Sequence, residues 1–282
     1  SISADPEREA AEGAIAMRAT VAPRGGRVLA GGQSLVPAMA LRLARPAHLV
    51  DINGVKDLER LAVEADELVI GACVRHAAFH RLVAEGPLGL LLSEVARHIA
   101  HLPIRTRGTF CGSLAHADPA SEWCLVAVTL DAKMVARSAR GARTIVAAGF
   151  FRGAMTTALE ADELLVEARL PLLAPDTRFG FSEFSRRAGD FAVAMALATY
   201  RLRDGVMTGP RVGVGGVEDA PRRIEQAEAT LDGKRPGTEI FLAAADAVAK
   251  AVAPPDDARY PAGYRRELAG AMTRRALERA AA

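Results

Sequence analysis

The sequence predicts a mixed α+β chain built in successive parts, and three stretches predict it. Residues 27–54 run from a short apolar segment through a glycine turn to a second apolar segment, the texture of a small α/β unit. From Leu61 onward the pattern changes to short strands, beginning with a hairpin over 61–71. Past a linker bracketed by Pro171 and Pro175, strand-like runs are followed by helical ones, which argues for a separate α+β domain. The divisions fall at 1–55, 56–172 and 177–282.

Taken in order, residues 6–21 carry Ala10, Ala14, Ile15, Met17 and Val21 among Glu and Arg, a helix opened by Asp5-Pro6 and stopped by Pro23 and Gly25-Gly26. Residues 27–30 form a short buried strand that delivers the turn Ala30-Gly31-Gly32-Gln33-Ser34-Leu35. A second apolar segment spans 39–43, and a strand at 48–52 closes at Asn53-Gly54. Residues 61–63 and 67–71 pair as the hairpin, 79–84 and 88–99 read as helices, and 105–119 reads as a polar, glycine-bearing loop. Ser121 caps a helix running to Leu130, after which 133–137, 144–147 and 163–170 resume the strand pattern. In the last part, strands at 179–185, 192–203 and 211–217, with a turn at Asp204-Gly205, precede helices at 222–231, 239–252 and 263–282.

Composition narrows the function. Half of the 282 residues are apolar and 25% are charged, so the chain can bury a substantial core. With 36 basic and 34 acidic side chains, a net charge of +2 gives no overall pull toward nucleic acid or an anionic membrane. Cys73, Cys111 and Cys124 form no C-x-x-C pair, so no disulfide framework and no iron–sulfur cluster of the chain's own is expected. No apolar run reaches the ~20 residues of a membrane span, and a reducing cytoplasm is the default location.

Two glycine-bearing loops, 31–34 and 108–113, stand out. Backbone amides from both can enclose a pyrophosphate, while Ser34, Thr109, Ser113, His116 and Asp118 offer donors and acceptors to hydroxyl groups. On spacing alone, two surface turns with hydroxyl caps is the simpler reading. Gly213-Val214-Gly215-Gly216 superficially follows a nicotinamide-dinucleotide fingerprint, but Glu218 stands where its last glycine belongs, so a strand ending in a turn is expected. His76/His80 and His98/His101 have the spacing of one helix face, yet lack a carboxylate or cysteine partner at a metal-ligand spacing. No nucleophile elbow is present.

The runs AGGQSLVPAMALRLARPAHLVDING at 30–54, TRGTFCGSLAHADPASE at 106–122 and RRAGDFAVA at 186–194 together resemble the FAD-binding medium subunit of molybdenum hydroxylases, the aerobic carbon monoxide dehydrogenase and xanthine dehydrogenase family. The resemblance extends over nearly the whole chain. It implies a vanillyl-alcohol-oxidase-type FAD-binding domain of two α/β subdomains, followed by a smaller α+β flavoprotein domain. It implies that Ala30, Gly31, Gly32, Gln33, Ser34 and Leu35 bind the FAD pyrophosphate. Thr109, Gly112, Ser113, His116 and the acidic Asp118 or Glu122 would hold the pyrophosphate and ribityl side. Leu164 or Leu165 would lie near the flavin, and Phe191, beside Asp190, would rest against its ring. Two departures stand out: Cys111 replaces the first glycine of the family's T-x-G-G loop, and Ser182 stands where some relatives have lysine.

The implied role is electron transfer. FAD in this chain would take electrons from the [2Fe–2S] clusters of a small subunit, supplied by a large molybdenum-cofactor subunit, within a dimer of heterotrimers. The alternatives are a stand-alone FAD oxidoreductase and a cofactor-free scaffold on the same fold. Substrate and final acceptor are not encoded in this chain.

Overall fold

The structure is a computed structural model and describes residues 6–257 and 259–282. Helix α1 (Pro6–Val21) turns Ala11, Ala14 and Ile15 into the core, the three-to-four-residue spacing of one helical face. Asp5, expected to open it, lies outside the described residues. Strand β1 (Arg27–Leu29) pairs in parallel with β2 (Leu49–Asp51), and α2 (Leu35–Ala40) occupies the crossover that a parallel pair requires. The glycine turn therefore sits where strand passes into helix.

The hairpin forms as β3 (Leu61–Glu64) and β4 (Glu67–Gly71). Four helices follow: α3 (Pro87–Ala96), α4 (Leu102–Arg105), α5 (Phe110–His116) and α6 (Glu122–Thr129). Next come β5 (Lys133–Ser138), β6 (Gly141–Val146), the small pair β7 (Phe151–Gly153) and β8 (Thr156–Thr157), and β9 (Leu164–Pro171). β9 inserts between β4 and β5, making an antiparallel sheet of order β3-β4-β9-β5-β6, and α5 packs on β4 and β9.

The C-terminal part is an antiparallel sheet of β10 (Thr177–Phe184), β11 (Ala194–Arg203), β12 (Val206–Gly215) and β13 (Arg222–Arg223), followed by α7 (Glu225–Leu231), α8 (Thr238–Ala251) and α9 (Ala262–Ala281). Side chains alternate along β11, so Ala194, Ala196 and Ala198 join the core beneath α8 and α9. Met195 and Leu197 point the other way and join Phe181 in the core of the first part. A sheet covered on both faces explains why β11 reads as a continuous apolar run.

Four expectations are corrected. Residues 79–84 form no α-helix: a 3-10 turn, His76–His80, ends where Arg81 goes extended, since so short a segment does not repay helix nucleation. The supposed loop 105–119 contains the helix α5, because Thr109 caps it by accepting the Gly112 amide at 3.0 Å, while Phe110 and Leu114, one turn apart, are fully buried. Ser121 holds the N-cap position of α6 without a side-chain capping bond. Arg222 belongs to β13, not to the following helix, which begins at Glu225.

Candidate cofactor site

Two loops define the site, one between β1 and α2 and one entering α5. They touch directly. A Cβ on Gly31 would stand 2.3 Å from the Arg107 carbonyl oxygen and 2.6 Å from Gly108 Cα, so no larger residue fits. Gly32 takes φ +72°, a left-handed conformation that glycine adopts without strain. Among the described residues, no backbone acceptor takes the amides of Gly32, Gln33 or Ser34. The Gln33 side chain folds back, Nε2 donating to the Gly31 carbonyl at 3.0 Å.

A polar strut fixes the loops to one another. Asn53 Nδ2 donates to the Ala30 carbonyl at 2.8 Å, and Asn53 Oδ1 accepts from Arg75 at 2.7 Å. The Arg75 guanidinium also donates to the Arg107 carbonyl, completing a path from the first loop to the second. Asn53 is itself held by Asp51, which accepts both its backbone and its side-chain N–H. In the sequence Asn53-Gly54 reads only as a strand end; its bracing role depends on Arg75, twenty-two residues away.

Behind the second loop sits His76. Its backbone amide donates to the Gly108 carbonyl at 3.0 Å, and its ring packs so closely on Gly108 that a Cβ there would lie 2.5 Å from Nε2. Nδ1 accepts the indole N–H of Trp123 at 3.0 Å, which puts the proton of the neutral ring on Nε2. Burial, reinforced by the charges of Arg105 and Arg75, pushes the imidazole down to about 4. Trp123, Phe79 and Phe110 interlock with ring centroids 4.9–5.6 Å apart, giving the loop an apolar floor.

Between these loops and residues 155–165 lies a cavity of about 590 Å³. Its lining brings together most of the residues singled out from the sequence: Ala30, Gly31, Gly32, Gln33, Ser34 and Leu35 from the first loop, Thr109, Gly112, Ser113 and His116 from the second, and Leu164 and Leu165 from β9. Asp118, Glu122, Asp190 and Phe191 are not part of that lining. Asp118 accepts the Ala120 amide at 2.9 Å. Glu122 is buried, and burial together with the nearby Glu183 charge pushes its carboxyl up to about 8. Asp190 and Phe191 belong to the connection between β10 and β11, where Phe191 is 75% exposed.

The two departures from the family pattern are accommodated. Cys111 turns its thiol into the core, donating to the Ile70 carbonyl of β4 at 3.4 Å, and burial pushes its pKa up. Ser182 is buried, its hydroxyl 3.4 Å from the Met272 sulfur of α9. Sequence reasoning missed other lining residues: Arg18 from α1, Arg27 from β1, and Thr156, Thr157, Glu160 and Glu163. Those residues carry no motif and converge only through the fold. Among the described residues, no group of three or more His, Cys, Asp or Glu side chains is arranged to hold a metal, and no helix is long and apolar enough to cross a membrane.

A cavity clamped by two glycine loops, with free backbone amides on one side, defines a dinucleotide-cofactor domain, here joined to an α+β domain. Residues 9–173 match the family described as the FAD binding domain in molybdopterin dehydrogenase, and residues 179–280 match the CO dehydrogenase flavoprotein C-terminal domain. The nicotine 6-hydroxylase medium subunit of Paenarthrobacter nicotinovorans is 37% identical over 256 residues, covering 91% of this chain and 90% of its own. The carbon monoxide dehydrogenase medium chain of Hydrogenophaga pseudoflava is 35% identical, covering 90% of this chain and 88% of its own. A solved structure of carbon monoxide dehydrogenase from Hydrogenophaga pseudoflava superposes with a TM-score of 0.89 at 35% identity, over 94% of both chains. Quinoline 2-oxidoreductase from Pseudomonas putida 86 superposes with a TM-score of 0.87 at 33% identity, over 94% of this chain and 93% of that one.

The chain belongs to the FAD-binding medium subunits of the molybdenum hydroxylases. It is an FAD-dependent oxidoreductase subunit with an FAD-binding domain and a C-terminal flavoprotein domain.

Proposed function

We propose that this chain is the electron-exit subunit of a molybdenum-dependent hydroxylase. It receives electrons from the [2Fe–2S] clusters of a small partner subunit, fed in turn by a large molybdenum-cofactor subunit, and delivers them to an external acceptor. Dimers of heterotrimers in the cytoplasm are the expected assembly. Bound FAD exchanges electrons singly or in pairs, and so joins one-electron clusters to a two-electron acceptor.

The observation that carries this reading is the contact of the two loops at Gly31. It brings together amides with no acceptor of their own in a cradle that a Cβ would fill, which fits a pyrophosphate. In this reading Gly32, Gln33 and Ser34 donate to one phosphate side, and Thr109, Gly112 and Ser113 approach the other. Ser113 and His116 offer side-chain donors to ribityl or ribose hydroxyls, and Leu164 and Leu165 supply the wall near the flavin. The Asn53–Arg75 strut fixes the spacing of the two loops before the cofactor arrives, so little ordering entropy remains to be lost on binding.

The test uses the chain together with the iron–sulfur subunit expected to co-purify with it. Anaerobic mixing with that subunit in its reduced form is expected to bleach the flavin absorbance. A flavin that stays oxidised, yet is bleached directly by a nicotinamide or an organic donor, would replace this role with a stand-alone reductase.

A further inference from the structure

The boundary between the two domains buries two carboxyl groups within electrostatic reach of one another. Glu183 lies on β10 two residues from Phe181 and opposite Met195, so it shares the strand face that turns into the core of the first domain. Its side chain is 8% exposed, and Oε2 is buried with no hydrogen-bond partner. Oε1 lies 3.5 Å from Nδ1 of His98, just past α3, whose ring also meets Phe181 edge-on at 4.9 Å. Glu122 comes from the other side of the boundary, in the first turn of α6, and is buried as well. The turn ahead of α6 is tied across the same boundary, the Gly216 amide donating to the Pro119 carbonyl at 2.9 Å.

Little positive charge reaches this pair. Among the described residues, His98 is the basic group paired with Glu183, and Glu122 makes no ion pair. Arg279 of α9 is taken up by the Phe181 carbonyl, to which it donates, and lies 4.0 Å from Glu94. Asp118, which accepts the Ala120 amide, adds a further like charge to Glu122. An ionised carboxylate out of water needs a partner, and two carboxyls that interact hold a proton more tightly than either would alone. Burial, and after it the Glu183 charge, pushes Glu122 up to about 8, so its carboxyl keeps its proton near neutral pH. A protonated carboxyl is an O–H donor, which is what the bare Oε2 of Glu183 lacks.

We infer that Glu122 and Glu183 hold one proton between them and form a latch across the boundary of the FAD-binding and C-terminal domains, closed by that proton and loosened when it leaves. With the proton in place, Glu122 donates to Glu183, and His98 stands beside the second oxygen. Without it, two buried anions face each other, and the repulsion is relieved by parting β10 from the start of α6. Neither carboxyl lines the cofactor cavity, so the latch governs how the C-terminal domain sits on the FAD-binding domain.

The test follows the full chain from about pH 6 to about pH 9.5 by two readouts: the infrared band of a protonated carboxyl, and amide hydrogen exchange by mass spectrometry corrected for its intrinsic pH dependence. The parent is compared with Glu122→Gln and Glu183→Gln, which keep the side-chain shape and cannot ionise, and circular dichroism confirms folding. In the parent the band is expected to disappear around pH 8, with peptides from α6 and β10 exchanging about tenfold faster over the same interval and those from β6 unchanged. Glu122→Gln should abolish both changes. Glu183→Gln should move the loss of the band about one pH unit or more lower and abolish the step in exchange, because its amide N–H now favours the ionised Glu122. A midpoint unmoved by Glu183→Gln, or no band in the parent at neutral pH, would overturn the shared proton. A band that titrates with no change in exchange at α6 or β10 would overturn the latch. The parent's own band and exchange profile decide the matter even where a variant does not fold.

Discussion

Protonating His76 should dismantle the second loop, and the structure sets the size of the effect. The neutral ring accepts the Trp123 indole N–H on Nδ1 and packs on Gly108 through Nε2. Adding a proton to Nδ1 sets two donors against each other in a buried site. The imidazole falls from its ordinary 6.5 to about 4 in the folded chain, chiefly through burial. Between those values the unfolded chain holds more protons than the folded one, so stability rises with pH. The contribution is fully present above about pH 6.5 and is lost as pH falls through about 4. A difference of 2.5 pH units corresponds to about 3 kcal/mol, a large fraction of a domain's net stability. Urea unfolding of the parent and of His76→Gln, measured from pH 7.5 to pH 4, reads it directly. Glutamine offers the indole an acceptor without a proton to gain, so the parent should lose about 3 kcal/mol more than the variant over that range. Parallel pH profiles would refute the reasoning.

Other outcomes follow from the same geometry. Gly31→Ala is expected to weaken FAD binding at least tenfold, about 1.4 kcal/mol, because its methyl would lie 2.3 Å from the Arg107 carbonyl oxygen; flavin retention through gel filtration reads this. Glu122, raised from 4.5 to about 8, favours the folded state less and less as pH rises through that interval. Glu122→Gln should therefore be a few kcal/mol more stable than the parent near pH 9 and equal to it below about pH 4.5, with FAD still bound. Phe191→Ala should leave stability and FAD retention unchanged, since the ring is 75% exposed, and shift the flavin reduction potential. An unchanged potential in spectroelectrochemistry would show that the ring never reaches the flavin.

Local order was legible where local forces decide it. The β3–β4 hairpin and the long strands of the last part follow from alternation and turn residues such as Asp204-Gly205. Helix α5 was not, because glycines at 108 and 112 signal a loop, whereas Thr109 capping and the buried Phe110 and Leu114 hold a helix. The contrast recurs at the site. Both glycine loops are visible as motifs, and they do meet in space. What braces them is not visible: Asn53, Arg75, His76 and Trp123 are spread over seventy residues and become a unit only when β2, the 3-10 turn and α6 converge. Arg18 and Arg27, which also line the cavity, are hidden for the same reason. Cys111 shows the reverse case, in which a departure in the motif is absorbed because its thiol turns toward β4.

The cleft clamped at Gly31 is the proposed seat of FAD. Purifying the full chain, recording its absorption spectrum and identifying the flavin released on denaturation tests it most directly. An oxidised-flavin spectrum is expected, with FAD released in a ratio near one per chain. A colourless chain that takes up no added FAD would contradict it.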